Sequence, residues 1–143
     1  MSPIKTLAVI ALSLVANHAL ADWVEIGSNK AGGINNDSGV TMYYDHSKTS
    51  SLGYTKDRKK AFILQSYDKK QPLDKGVKFS SSVTRMEIDC LNQKYQFVAF
   101  FFYSEPMAKG DIVQSANEPP QNGWSYPAPN SAMETVVEKS CKR

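Results

Sequence analysis

The sequence predicts an α+β domain in which about six strands are followed by one C-terminal helix, pinned to the sheet by a disulfide. Three observations carry this. Runs rich in β-branched and aromatic residues alternate with segments bearing Gly, Pro and Asn, the pattern of short strands and turns. A helical stripe comes last, in PNSAMETVVEKSC, Pro129 to Cys141. The chain's two cysteines, Cys90 and Cys141, end the longest strand candidate and that helix.

The pairing of the cysteines rests on compartment. Residues 1–21 carry Lys5, an apolar run from Leu7 to Ala16 and then Ala19, Leu20 and Ala21 before Asp22, which is the layout of a cleaved signal peptide. The apolar run is half the roughly 20 residues a membrane span needs. Cleavage after Ala21 would leave one domain, residues 22–143, secreted or periplasmic. No cysteine stands at the cleavage site, so a lipoprotein anchor is not expected and display at the cell surface is left open. In an oxidising compartment two thiols in a small domain pair. A metal pair fits poorly, since no CxxC spacing is present and His46 is the one histidine after the leader.

The chain holds 17 Lys plus Arg and 14 Asp plus Glu; losing Lys5 with the leader leaves a net charge of +2. That is too small to argue for nucleic acid. In order, Trp23 to Ile26 is a short strand, the Gly- and Asn-rich stretch 29–39 a loop, and Val40 to Asp45 a second strand. Residues 48–53 are a turn by composition. Ala61 to Tyr67 is the third strand and 69–76 a connecting loop. In the fourth, Phe79 to Cys90, Met86, Ile88 and Cys90 alternate with Arg85, Glu87 and Asp89, placing Cys90 inside and the acids toward solvent. The fifth, Lys94 to Ser104, contains FVAFFFY without polar breaks and reads as a central strand covered on both faces. The turn 106–110 leads to a sixth strand, Asp111 to Ser115, and then to a proline-rich loop, 117–130.

The final helix has its own start and stop signals. Ser131 is an N-cap and Glu134, three residues on, completes a capping box. Met133, Val136, Val137 and Cys141 form one stripe, and Lys142 and Arg143 suit the negative end of the helix dipole. Because helices shorter than about 12 to 15 residues rarely persist alone in water, a bond from Cys141 to Cys90 acts as a staple.

Taken together, VTMYYD, AFILQSYD, the long strand ending in EIDC, the aromatic strand, KGDIVQSA, a Trp in a Pro-rich loop and the closing VVEKSC resemble the surface-adhesin protein E family of bacteria. The resemblance spans nearly the whole chain after the leader. It implies a six-stranded antiparallel sheet with the helix held to one face by the disulfide. It further implies binding of host matrix or plasma proteins such as laminin, vitronectin and plasminogen. A periplasmic accessory or inhibitor protein with a bacterial partner is the alternative.

One stretch offers a candidate binding surface. Lys56, Arg58, Lys59, Lys60, Lys69, Lys70, Lys75 and Lys78 stand against Asp57, Asp68 and Asp74. They flank one strand at its two ends, and ordinary edge lysines that discourage aggregation would account for them too. Lys142 and Arg143 add a cationic tail. Exposed sheet edges would allow a homodimer. No catalytic residue, cofactor or metal site is expected: Asp45 beside His46 lacks the elbow motif of a hydrolase nucleophile.

Overall fold

The computed structural model describes residues 22–45, 47–53, 56–117 and 123–142. Seven strands, β1 (Trp23–Asn29), β2 (Val40–Asp45), β3 (Ser50–Ser51), β4 (Arg58–Pro72), β5 (Lys78–Asp89), β6 (Lys94–Glu105) and β7 (Lys109–Ala116), precede the helix α1 (Ala132–Cys141). The six longer strands lie in the order β1-β2-β4-β5-β6-β7, and the two-residue β3 pairs with β4. Every pairing is antiparallel. Cys90 and Cys141 are bonded. The content is mostly β, with a single α-helix among the described residues.

Several strands differ from the sequence expectation: β1 runs on to Asn29, the stretch 48–53 expected as a turn contains the two-residue β3, and β4 and β6 differ most. β4 does not stop at Tyr67: after a bulge between Ser66 and Gln71 it resumes pairing, with Gln71 opposite Phe79 and Pro72 opposite Lys78. Pro is tolerated at that terminal position, where no further ladder bond is required. The glycine- and asparagine-rich loop supports the extension. The Ser38 hydroxyl accepts from Lys69 N–H at 2.9 Å and the buried Gln71 Oε1 from Ile34 N–H at 2.7 Å. A Cβ on Gly33 would come within 2.7 Å of that same Gln71 oxygen, so the close approach requires glycine there.

β6 is next to the sheet edge rather than central. Phe100, Phe101 and Phe102 are half-buried, and Phe97 is exposed. Its apolar run serves both faces, but neither is fully closed over it. Only its second half is paired with β7; near its start, Tyr95 exchanges backbone hydrogen bonds of 2.9 Å with Ser125 from the proline-rich loop.

The helix covers the other end of the sheet. Val136 and Val137 are essentially inaccessible and pack with Tyr44, Ala61, Ile63, Met86 and Ile88, while Met133 and Cys141 flank them. Each buried valine contributes about 2 kcal/mol of transfer free energy. Ser140 joins the stripe: its hydroxyl donates to Tyr44 Oη at 3.3 Å, which satisfies a polar group inside the core. At the helix start, Ser131 Oγ accepts from Glu134 N–H at 3.2 Å as the capping box requires. The Glu134 carboxylate reaches one residue further back than the motif predicts, to Asn130 N–H at 2.6 Å.

Candidate functional site: a basic hollow beside the disulfide

β4 distributes the eight basic residues. Lys60 and Lys69 are nine residues apart on it, about 30 Å along an extended strand. Lys69, Lys70, Lys75 and Lys78 therefore lie exposed at the far end, with Lys75 at positive φ in the 3-10 turn Asp74–Gly76. They form no common patch with Lys56, Arg58, Lys59 and Lys60.

The near group is itself divided, because alternate strand residues face opposite ways. Lys59 lies opposite Ile88 on the helix side, whereas Arg58 and Lys60 lie opposite Asp89 and Glu87 on the other. On the helix side, Lys56, Lys59 and Lys142 surround a hollow of about 710 Å³ beside the Cys90–Cys141 bond, together with Asp57, Leu91 and Gln93. Leu91 is 75% exposed at its mouth. Lys59 is held in place by a 3.0 Å hydrogen bond from its ammonium to Ser51 Oγ in β3. Three cations around an exposed leucine can bind an acidic, partly apolar protein surface. Lys142 belongs to this cluster because the disulfide brings the end of α1 to the end of β5. That juxtaposition follows from the cysteine pairing and the strand register together. Arg143 and His46 lie outside the described residues.

The opposite side is occupied. Arg58 reaches Asp89 at 3.7 Å and stacks on the Trp124 ring, 4.4 Å from its centroid, while Lys94 sits 4.8 Å from that of Tyr126. Asp89 is not the solvent-facing acid the alternation implied. It is buried, and accepts from Asn92 Nδ2 at 3.0 Å and from the backbone N–H groups of Leu91 and Asn92, closing the turn into β6. The Asn92 amide is the largest influence on its carboxyl. With those two N–H groups and the nearby Arg58 guanidinium it outweighs burial and holds the pKa below the usual value.

A second concavity crosses the face opposite the helix. Trp23, Phe62, Val83, Phe101, Tyr103, Met107 and Ile112 form the walls of a groove of about 740 Å³, with Asp22, Asp45, Lys48 and Lys109 also lining it. Its lid is the turn between β6 and β7, anchored where Met107 N–H and Ala108 N–H donate to Ser66 Oγ and Ser81 Oγ at 3.2 and 2.9 Å. Among the described residues no cluster of His, Cys, Asp and Glu could hold a metal ion, and no helix is long and apolar enough to cross a membrane.

The succession of strands along the chain, the closing helix and the cysteines at the ends of β5 and α1 are the features on which the resemblance rested. Residues 23–142 match the profile of the family described as Surface-adhesin protein E. The chain belongs to the surface-adhesin protein E family. The match runs from the first residue of β1 to Lys142, so every element belongs to the adhesin domain. Nothing in this family assignment points to catalytic activity, and it is a family of bacterial surface adhesins. No individually curated protein matches the chain significantly.

Proposed function

We propose that the chain is an exported adhesin-like binding protein that recognises host matrix or plasma proteins, of the laminin, vitronectin and plasminogen class, through its basic surface. The observation that supports this reading is the convergence of Lys56, Lys59 and Lys142 on the hollow beside the disulfide. Lys56 and Lys142 are exposed and the aliphatic Leu91 stands beside them, so the cluster offers charge for encounter and an apolar contact for retention. Arg58 and Lys60 contribute less to binding on this reading, since Arg58 is engaged by Asp89 and Trp124 and Lys60 lies over the Phe62 ring at 5.7 Å. Export follows from the leader, and signal cleavage after Ala21 would release the domain of residues 22–143.

The test is binding of the processed chain to immobilised laminin, vitronectin and plasminogen. Saturable, salt-sensitive binding that is weakened in the triple variant Lys56→Gln, Lys59→Gln, Lys142→Gln supports the reading. Binding to none of them, with capture of an envelope protein instead, would favour a periplasmic accessory role.

A further inference from the structure

Asp45 ends β2 with a side chain that is 0% exposed, yet among the described residues only one of its carboxylate oxygens finds a hydrogen-bond donor. Oδ1 accepts from Ser47 N–H at 3.0 Å, Ser47 O–H at 2.7 Å and Lys48 N–H at 3.3 Å, which fixes the turn after β2. Among the described residues Oδ2 has no hydrogen-bond donor. Its nearest described cation is Lys48 Nζ at 3.9 Å, on a side chain that is 52% exposed. A buried carboxylate oxygen without a donor is costly, so the site calls for a further cation.

The strand register shows where one can come from. Trp23 stands directly opposite Asp45 across the β1–β2 pair, in strands about 4.8 Å apart. Asp22 precedes Trp23, is exposed, and lines the same end of the groove as Trp23, Asp45 and Lys48. The leader reading also makes Asp22 the first residue of the processed chain. We propose that the missing partner of Asp45 Oδ2 is the α-ammonium of Asp22, a group that exists only after the leader has been removed.

The chemistry is a hydrolysis by a leader peptidase. Water adds across the Ala21–Asp22 peptide bond, the acyl carbon leaves as the Ala21 carboxylate, and the Asp22 nitrogen is released as an amine that takes up a proton. Before cleavage that nitrogen is an uncharged amide. Afterwards it is a cation at the end of an edge strand, free to turn toward a carboxylate one residue along the neighbouring strand. The charged groups facing it across the groove are the Asp22 and Asp45 carboxylates and the Lys48 and Lys109 ammonium groups. Processing would thus lock the start of β1 and complete one end of the groove in the exported form alone. This inference rests on cleavage after Ala21 and is independent of which partner the basic hollow binds.

N-terminal sequencing of the exported chain comes first; a start at any residue other than Asp22 overturns the proposal. Labelling of the α-amine with an amine-reactive acylating reagent, read by mass spectrometry from pH 6 to 10, then compares native chain, urea-unfolded chain and native Asp45→Asn. The Asn retains an Oδ1 acceptor for the turn, and the unfolded wild type supplies the reference should that variant not fold. The expected result is a native labelling midpoint raised by about one pH unit, hence about tenfold slower labelling at pH 7, with the slowing absent in the other two samples. Equal labelling in native and unfolded wild type, or slowing that persists in folded Asp45→Asn, overturns it.

Discussion

Met107 and Ala108 both adopt left-handed backbone, with φ of 59° and 56°, in the turn that lids the groove. For residues with a Cβ this costs roughly 1 kcal/mol or more each. The offsetting bonds come from β4 and β5: Ser66 and Ser81 accept the two N–H groups, and Ser81 in turn donates to the Glu105 carbonyl at 2.6 Å. Ala108→Gly keeps those bonds and removes the strain, so it should raise stability by about 0.5–1 kcal/mol in urea unfolding. Pro106 and Gly110 mark a turn in the sequence, but Pro-Met-Ala-Lys lacks the Asn-Gly chemistry that would announce its left-handed backbone. Asp89 was equally illegible, because alternation places its side chain on a face without saying that Asn92 and Arg58 engage it there. Its carboxyl titrates below its ordinary value of about 4 in the folded chain. The stability it confers is therefore present above about pH 4 and is lost as pH falls through the lower folded value. Asp89→Asn should lower stability at pH 7 and flatten the acid limb of a urea-unfolding series from pH 2 to 7.

At the level of elements, α1 was readable to the residue because several local rules agree: Ser131 caps, Glu134 is three residues on, and the valines fall on one face. Ser131→Ala should cost about 1 kcal/mol, read by thermal or urea unfolding. The disulfide closes a loop of sequence separation 51, worth roughly 4 kcal/mol on the chain-entropy account. Cys141→Ala should lower stability by about 2 to 5 kcal/mol and speed amide exchange in α1 before the β4–β5 ladder. An unchanged melting curve would contradict the staple. The six longer strands were legible in their succession along the chain but less so in extent, and the two-residue β3 was not legible, since 48–53 reads as a turn. β4 runs on past Tyr67 because Ser38 and Ile34 of a distant loop stabilise it, and such nonlocal support leaves no periodic trace. An unbroken apolar run likewise cannot separate the central strand from the penultimate one, which is where β6 lies.

For the whole molecule, the charge pattern in the sequence named the basic residues without their spatial grouping. A strand of 15 residues separates the two basic ends, the pleat divides Lys59 from Arg58 and Lys60, and the disulfide adds Lys142 from the far end of the chain. The last of these effects joins residues far apart in the sequence and so leaves no local trace. If binding runs through the hollow, replacing its lysines should weaken affinity about tenfold near physiological salt, with the difference fading as salt approaches 0.5 M and screening shortens. Replacing Lys69, Lys70, Lys75 and Lys78, about 30 Å away along β4, should change it far less.

The decisive measurement is therefore surface-plasmon-resonance binding of the processed chain to laminin, vitronectin and plasminogen across a salt series. It should compare wild type, the Lys56→Gln, Lys59→Gln, Lys142→Gln variant and the four-lysine variant of the far end. Salt-sensitive binding lost selectively in the first variant is the predicted result. Equal loss in both variants, or binding that neither salt nor either variant alters, would contradict the hollow as the binding surface.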